Sequence, residues 1–360
     1  MKDILAEVGA LFRLPGELSS YEMIKNGNIN STYKVTYTLP SGALKSYIFQ
    51  KINTYVFKNP VEIMENIDRV TTHIRSKEKG GVTLHFHHTD TGDNFVFDHD
   101  RSFWRVMNFV DSITFDTSSD PRIVRSTGRA FGHLQTELAD FDGSVLHETI
   151  HDFHNTRWRL DTLFEHVEAD PYGRVAEASE EIAYIASVRD RACELCDRYM
   201  RGEFPVRVTH NDTKSNNVLF DRTTFDPLVV IDLDTVMPGM AMYDFGDAVR
   251  FAANTAAEDE PDLSRVSFDV EKVRAFCDGY IEQVKGSLTD AEIDSMVLGA
   301  FSITIELAAR FLDDYITGDK YFKTLYPGHN LVRTRCQIHL ARDIDRKFDE
   351  LSAIVREIAK

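Results

Sequence analysis

Cysteine is scarce in this 360-residue chain. The four present, Cys193, Cys196, Cys277 and Cys336, are scattered, which excludes a disulfide framework. Cys193 and Cys196 form a CxxC inside the helical pattern IAYIASVRDRACELCDRYM with no second pair, so helix packing explains it better than zinc or redox chemistry. No apolar run is long enough to cross a bilayer. The opening MKDILAEVGALFRL reads as a short amphipathic helix without a signal-peptide core or cleavage site, and a cytoplasmic location is expected. Positive charge is also short: 41 Lys and Arg against 58 Asp and Glu leave a formal charge of −17. That balance opposes binding to nucleic acid or to an anionic membrane, and it makes local basic residues necessary wherever a phosphate is held. Repeats and low-complexity tracts are absent too, and the length supports two lobes with a substantial core.

Against these absences stands one dense stretch, His210 to Asp234, reading HNDTKSNNVLFDRTTFDPLVVIDLD. Asp212 is followed by four residues and then Asn217, the spacing between the catalytic-loop Asp and the metal-binding Asn of kinases. Val218 to Phe220 and Leu228 to Ile231 are short apolar runs on either side of a turn-rich stretch, so a β-hairpin is expected. Such a hairpin would bring Asn217 towards Asp232, and an amide with a carboxylate suits a Mg²⁺ nucleotide complex better than zinc. Asp234, two residues on, shares a face with Asp232 in extended chain and would reach a second metal or the acceptor. Asp212 is left to accept or orient the proton of the acceptor hydroxyl, with Lys214 neutralising charge on the transferring group. His210 is expected to be structural. Downstream, Asp244-Phe245-Gly246 spells DFG but opens a helical pattern beyond Pro238 and Gly239. Asp244 is read there as an N-cap, and Asp247 with Arg250 as an i, i+3 pair.

Other clusters carry less. His85, His87 and His88 fall in a strand-like run that splits them between faces, and His147, His151 and His154 lack an HExxH pattern and a plausible carboxylate partner, so neither group is expected to bind a metal.

Before residue 110 the chain alternates strand-like runs and turns, STYKVTYTL, SGALK and SYIFQKI, then a helix over 60–77, then VTLHFHHTD and NFVFDHDRSFWRVMNFV as further strands. The expected class is α+β: a bilobal, kinase-like fold with a small antiparallel-sheet lobe over 1–110 and a larger, mainly helical lobe over 111–360. Helices are expected at 121–141, 178–201, 244–254, 269–285, 289–315 and 331–359. The last carries an apolar stripe that suits a core face or a dimer face, core being preferred, so the chain is a monomer or homodimer. Residues 107–111 would connect the lobes, with Met107 and Phe109 beside an adenine ring. NGNINSTYKV supplies Gly27, Asn30, Ser31 and Thr32 for a loop covering phosphates.

With these features in place, HxDxxxxN followed by IDxx resembles the signature of the aminoglycoside phosphotransferase and choline kinase superfamily. The segments NINSTY, RVTHNDTKSNN, VIDLDTVMPG, DFGDAVRF, DYITGDKYF and YPGHNLVRTR are similar to sugar 1-kinases within it that act on N-acetylglucosamine or N-acetylgalactosamine. The resemblance implies ATP as co-substrate, Mg²⁺ held by Asn217 and Asp232, Asp212 as base, and transfer to the anomeric hydroxyl. It also implies sugar contacts from Arg310 and Tyr321. The helix around Arg310 is otherwise apolar, so its guanidinium needs a buried partner, for which Asp234 or a substrate hydroxyl would serve. Two positions depart from the pattern. Gln50 stands where kinases carry a phosphate-binding Lys or Arg, and Asn28 stands at the tip of the glycine turn where a sugar-contacting histidine is expected. Competing readings are a kinase of the same superfamily acting on choline, homoserine or an aminoglycoside, and a non-catalytic nucleotide-binding module.

Overall fold

A computed structural model describes residues 1–24, 29–77 and 80–360. The chain divides into two compact units, Met1–Ile113 with Ile231–Val236, and Thr114–Val230 with Met237–Lys360. The excursion Ile231–Val236, which the sequence reading gives to the large lobe, groups with the first unit because Asp234 and Val236 are bonded to residues of its sheet and helix.

In the first unit, α1 (Lys2–Leu11) precedes β1 (Glu17–Ile24), β2 (Ser31–Thr38) and β3 (Leu44–Lys51); α2 (Pro60–Lys77), β4 (Val96–Phe97) and β5 (Phe103–Asn108) follow. The sheet order is β1-β2-β3-β5-β4 with antiparallel pairings throughout. β1 is largely exposed, which removed the apolar alternation by which an edge strand is read from sequence. Leu5, Val8 and Phe12 of and just after α1 pack with Val35, Tyr37, Tyr47, Phe49, Trp104 and Val106 of the sheet. The run VTLHFHHTD is a correction: it forms no regular strand, only an isolated bridge from Phe86 to Met107 flanked by amide bonds from His87 to Val106 and from Asn108 to His85.

The second unit begins with α3 (Pro121–Glu137), α4 (Thr156–Ala169) and α5 (Ser179–Met200). Short strands β6 (Arg207–Thr209), β7 (Val218–Phe220), β8 (Pro227–Val230) and β9 (Met237–Gly239) come next, followed by α6 (Ala241–Ala253), α7 (Val270–Val284), α8 (Asp290–Asp294), α9 (Met296–Ile316), α10 (His329–Arg346) and α11 (Phe348–Ala359). The hairpin read from sequence is present as β7 on β8, with Val218 opposite Val230; β6 pairs with β9. The last two helical stretches are each two helices, broken at Ser295 and Lys347. Cys336, Ile338, Ala341, Ile344, Leu351 and Val355 are buried within the chain, so the C-terminal stripe is a core face. Cys193 and Cys196 are likewise buried and unpaired in α5, and burial pushes the Cys193 thiol up to about 12. Among the described residues no helix is long and apolar enough to cross a membrane.

α6 and α9 cross at glycines. A Cβ on Gly246 would lie 2.6 Å from the carbonyl carbon of Gly299, so the glycine of the DFG triplet serves helix packing. This crossing seats α6, and with it Asp244 and Asp247, against the loop after β6.

Candidate active site

The loop from His210 to Asn217 leaves β6 through Asn211, held at φ 63°, a left-handed conformation that asparagine tolerates. Asp212 projects its carboxylate between two partners. Lys214 Nζ lies 2.6 Å from Oδ1, and Asn217 Nδ2 donates to Oδ2 at 3.1 Å and to the Asp212 carbonyl at 2.9 Å. With its NH₂ group used in this way, Asn217 keeps Oδ1 as an acceptor without a hydrogen bond among the described residues. Burial opposes the charge on Lys214, but the carboxylates of Asp212 and Asp247 outweigh it and its pKa is raised. Lys214 therefore stays a cation beside the Asp212 carboxylate.

Two aspartates of α6 hold this loop from behind. Asp244 lies in the first turn of α6 rather than at its N-cap, which is Met240. Its carboxylate accepts the backbone N–H groups of His210 at 2.7 Å and Asn211 at 2.8 Å, and the side-chain amide of Gln135 at 3.0 Å. It thus caps the loop after β6, not its own helix. Asp247 accepts the N–H of Thr213 at 3.0 Å and pairs with Arg250 at 2.7 Å, so the i, i+3 pair is a buried one. His210 is fully buried, edge-on to Phe131, and its Nδ1 accepts the Asp212 N–H at 3.3 Å. Its place is structural.

Burial alone would push the Asp247 carboxyl up, yet the charges of Arg250 and then Lys214 bring its pKa down to about 2. A carboxylate depressed in the folded state adds stability that is fully present above the ordinary value and is lost as pH falls through the depressed one. Melting temperature should accordingly drop between about pH 4 and pH 2, and Asp247→Asn should drop less across that window. At pH 7 the variant should start about 3–5 kcal/mol lower, because Arg250 is left buried with a weaker partner. Parallel melting curves for the two proteins from pH 4 to pH 2 would exclude Asp247 as the group.

The three histidines of the segment 147–154 do not converge. His151 sits at the surface beside Glu148 and Asp152, whereas His154 turns inward. His154 Nδ1 lies 2.7 Å from Glu306 of α9 and Nε2 3.4 Å from the carbonyl of Asn211. The other oxygen of Glu306 accepts from Thr156, which shares a 2.7 Å hydrogen bond with Tyr243. Burial raises the Glu306 carboxyl and His154, with Arg310, more than offsets it, so its pKa is lowered and it remains a carboxylate. α9 is in this way tied to the residue before Asp212.

One turn beyond Glu306, Arg310 is partly buried against three aromatic rings: Phe153 at 5.1 Å, Phe322 at 5.7 Å and Tyr321 at 6.0 Å from its Cζ. Asp314 holds two of those rings in place. Its carboxylate accepts the N–H groups of Lys320, Tyr321 and Phe322 at 2.8, 2.8 and 2.9 Å, and Asn330 Nδ2 at 2.8 Å. Arg310 and Tyr321, far apart from Asp212 in sequence, thus belong to the same unit as Asp212.

The remaining sequence candidates lie in the first unit. β2, β3 and β5 put Thr32, Gln50 and Arg105 side by side, as successive Cα partners across three strands. Gln50 donates to Thr32 Oγ1 at 3.1 Å and accepts from Arg105 Nε at 2.9 Å, so both ends of its amide are engaged. Arg105 also binds Asp234, and the second oxygen of Asp234 accepts from Asn30 at 2.7 Å; Asn30 Oδ1 in turn takes the N–H of Asn53 at 2.9 Å. These bonds tie both oxygens of Asp234 into the frame of the sheet and correct its expected guanidinium partner, which is Arg105, not Arg310. Gln50 and Asn30 are drawn into the same frame. Asp232 stands at φ 62° where the segment turns. Ser31 begins β2, Met107 is buried in β5, and Phe109 just beyond it carries Lys34 Nζ 4.4 Å above its ring. Gly27 and Asn28 lie outside the described residues.

Residues 20–280, well over half of the chain, match the model of the phosphotransferase enzyme family, APH. The chain belongs to this family. Solved structures of similar fold include a microcompartment-associated aminopropanol kinase, 16% identical, with a TM-score of 0.63 over 98% of this chain and 97% of that one. An amicoumacin kinase in complex with AMP-PNP and Ca²⁺ is 13% identical, with a TM-score of 0.56 over 93% and 91% of the two chains. A choline kinase from Cryptosporidium parvum is 12% identical, with a TM-score of 0.54 over 92% and 90%. At these identities the likeness is one of fold. The family match ends at residue 280, so α9 with Arg310 and the rings of Tyr321 and Phe322 lie beyond it, while Phe153 lies within it. In this phosphotransferase the sequence reading missed Arg105, Asp314, His154 and Glu306. An arginine breaking the apolar run FWRVMNF was a usable sign of the first. The others gave none: His154 and Glu306 meet across distant stretches of the chain, and Asp314 binds amides of the turn that follows its helix, which no spacing motif marks.

Proposed function

We propose that this phosphotransferase is an N-acetylhexosamine 1-kinase, which transfers the γ-phosphate of ATP to the anomeric hydroxyl of N-acetylglucosamine or N-acetylgalactosamine. The observation that carries this reading is Arg310, a cation set among aromatic rings with no acceptor for its N–H groups among the described residues, in the same unit as Asp212. Rings supply flat apolar faces for a sugar, and the guanidinium supplies donors for its hydroxyl or acetamido oxygens. The segments similar to sugar 1-kinases, which run on past the family match, support the same acceptor.

In this reading Asp212 takes the proton of the anomeric hydroxyl, its rotamer set by Lys214 and Asn217. Lys214, kept charged, stands where negative charge on the transferring group needs a counter-charge. Asn217 Oδ1 and Asp232 are the proposed ligands of Mg²⁺, which would neutralise the nucleotide phosphates. In chain order Asn217 precedes Val218, whose partner Val230 stands two residues before Asp232. Thr32, Ser31 and the backbone near Met107 and Phe109 are proposed to face the nucleotide.

The test is ADP release from ATP and Mg²⁺ with a panel of acceptors. N-Acetylglucosamine or N-acetylgalactosamine should raise the rate far above the acceptor-free background, and product analysis should find the 1-phosphate. Stimulation by choline, ethanolamine, homoserine or an aminoglycoside alone would replace this reading with another kinase of the family, and no stimulation by any acceptor would favour a non-catalytic module.

A further inference from the structure

Three ring faces around one cation form the kind of cage that elsewhere captures a ligand ammonium group. Here the cation comes from the chain itself. Arg310 Cζ stands over Phe153, Phe322 and Tyr321, and the last two rings are fixed by Asp314 acting on their backbone amides. Among the described residues no carboxylate forms an ion pair with Arg310, although its charge is felt by Glu306. Both oxygens of Glu306, one turn back, are taken by His154 and Thr156, and Asp152 is bonded to Asn155 and His151.

A second guanidinium lies alongside. Arg159 donates Nε and Nη2 to the carbonyl of Phe153 at 3.3 and 3.2 Å and rests 4.9 Å over the Trp158 ring. Phe153 therefore carries one arginine on its ring and the other on its carbonyl. The two charges are felt: the Arg159 pKa is lowered, first by burial and then by Arg310, and the nearby charges of Glu306 and Asp152 offset this only in part.

We propose that Arg310, filling the aromatic cage, and Arg159 beside it form a charge filter that admits uncharged polyol or amide acceptors and rejects those bearing an ammonium group. The inference deepens the proposed function and rests on its placing of the acceptor beside Arg310. An ammonium entering this pocket would meet two like charges, and at partly screened separations of about 6 Å even one such charge is worth roughly 100-fold in affinity. An acetamido group carries no such penalty and offers a carbonyl oxygen to the guanidinium. Discrimination between an acetylated and a free amino sugar would then arise from charge as well as from fit.

The test compares N-acetylglucosamine, glucose and glucosamine with the full chain at about pH 6, where an ordinary amine is protonated. Glucose separates loss of the acetyl contact from ammonium repulsion. The wild type should use glucosamine at least about 10-fold less well than glucose in kcat/KM. Arg159→Gln should narrow that ratio at least about fivefold, whatever the absolute rates, while Arg159→Lys, which keeps the charge, should preserve it. Trp158 is 42% exposed and the other tryptophan, Trp104, is buried, so quenching of Trp158 fluorescence gives sugar affinities without turnover. Equal handling of glucose and glucosamine by the wild type in rate and in quenching overturns the filter. So does an unchanged ratio in Arg159→Gln, quenching by no sugar at all, or efficient phosphorylation of choline or an aminoglycoside. Phosphorylation of glucose but of no N-acetylhexosamine, with glucosamine still rejected, supports the filter and sinks only the acetylated acceptor.

Discussion

Asp212→Asn is expected to lower turnover by about 10² to 10⁴-fold while leaving the affinity for AMP-PNP and Mg²⁺ within about twofold. The substitution keeps shape and removes the basic oxygen. It also replaces an acceptor by an NH₂ group that must face either Lys214 Nζ, now at 2.6 Å, or Asn217 Nδ2, at 3.1 Å. One of those contacts is lost, and a modest fall in melting temperature should accompany the loss of rate. The loop itself should hold, because its backbone is fixed by Asp244 and Asp247 rather than by Asp212. Initial rates with a saturating acceptor, set beside calorimetric titration with AMP-PNP, separate the outcomes. A parallel loss of nucleotide affinity would make Asp212 a ligand of the metal instead of the base. A rate within tenfold of wild type would remove it from the chemistry.

The parts of this phosphotransferase legible in sequence are those whose signals are local. α2 was read with its observed bounds because Pro60 opens it and Val61, Met64, Ile67, Val70 and Ile74 mark one face. The β7–β8 hairpin was legible for a similar reason, two apolar runs around a turn. Helices α8 and α9 read as one because the apolar pattern continues across the break at Ser295, where no proline or glycine marks it. α4 escaped notice because RWRLDTLFEHVEA mixes charge through its apolar positions, although Asn155 caps it by accepting from the Trp158 N–H. The site divides along the same line. Asp212, Lys214 and Asn217 lie within one loop and announce themselves by spacing. Asp244, Asp314 and Glu306 act on backbone or side chains brought together by folding, and a carboxylate that caps a distant loop looks the same in sequence as one facing water.

Arg105→Met should cost about 3–5 kcal/mol of stability, the largest loss expected from a single change in the first unit. Arg105 and Asp234 are exposed by only 1% and 3%, so neither charge has water to fall back on. Methionine fills much of the stem's volume beside Met64 and Phe86 but leaves the Asp234 carboxylate only the Asn30 amide among its hydrogen bonds to described side chains, and Gln50 Oε1 without its donor. The consequence reaches beyond stability. Asp234 anchors the short segment in which Asp232 is held at φ 62°, and a freed Asp234 would let that turn relax, so affinity for the Mg²⁺ nucleotide complex should fall as well. Adding Asp234→Asn removes the stranded charge, and the double variant should recover part of the melting temperature lost by Arg105→Met alone, a coupling expected at about 1–3 kcal/mol. Nucleotide affinity should not recover with it, since the bridge that holds the turn is still missing. Additive losses in the cycle would show that the two side chains are buried independently, and recovery of both quantities together would show that the charge, not the bridge, governs the turn.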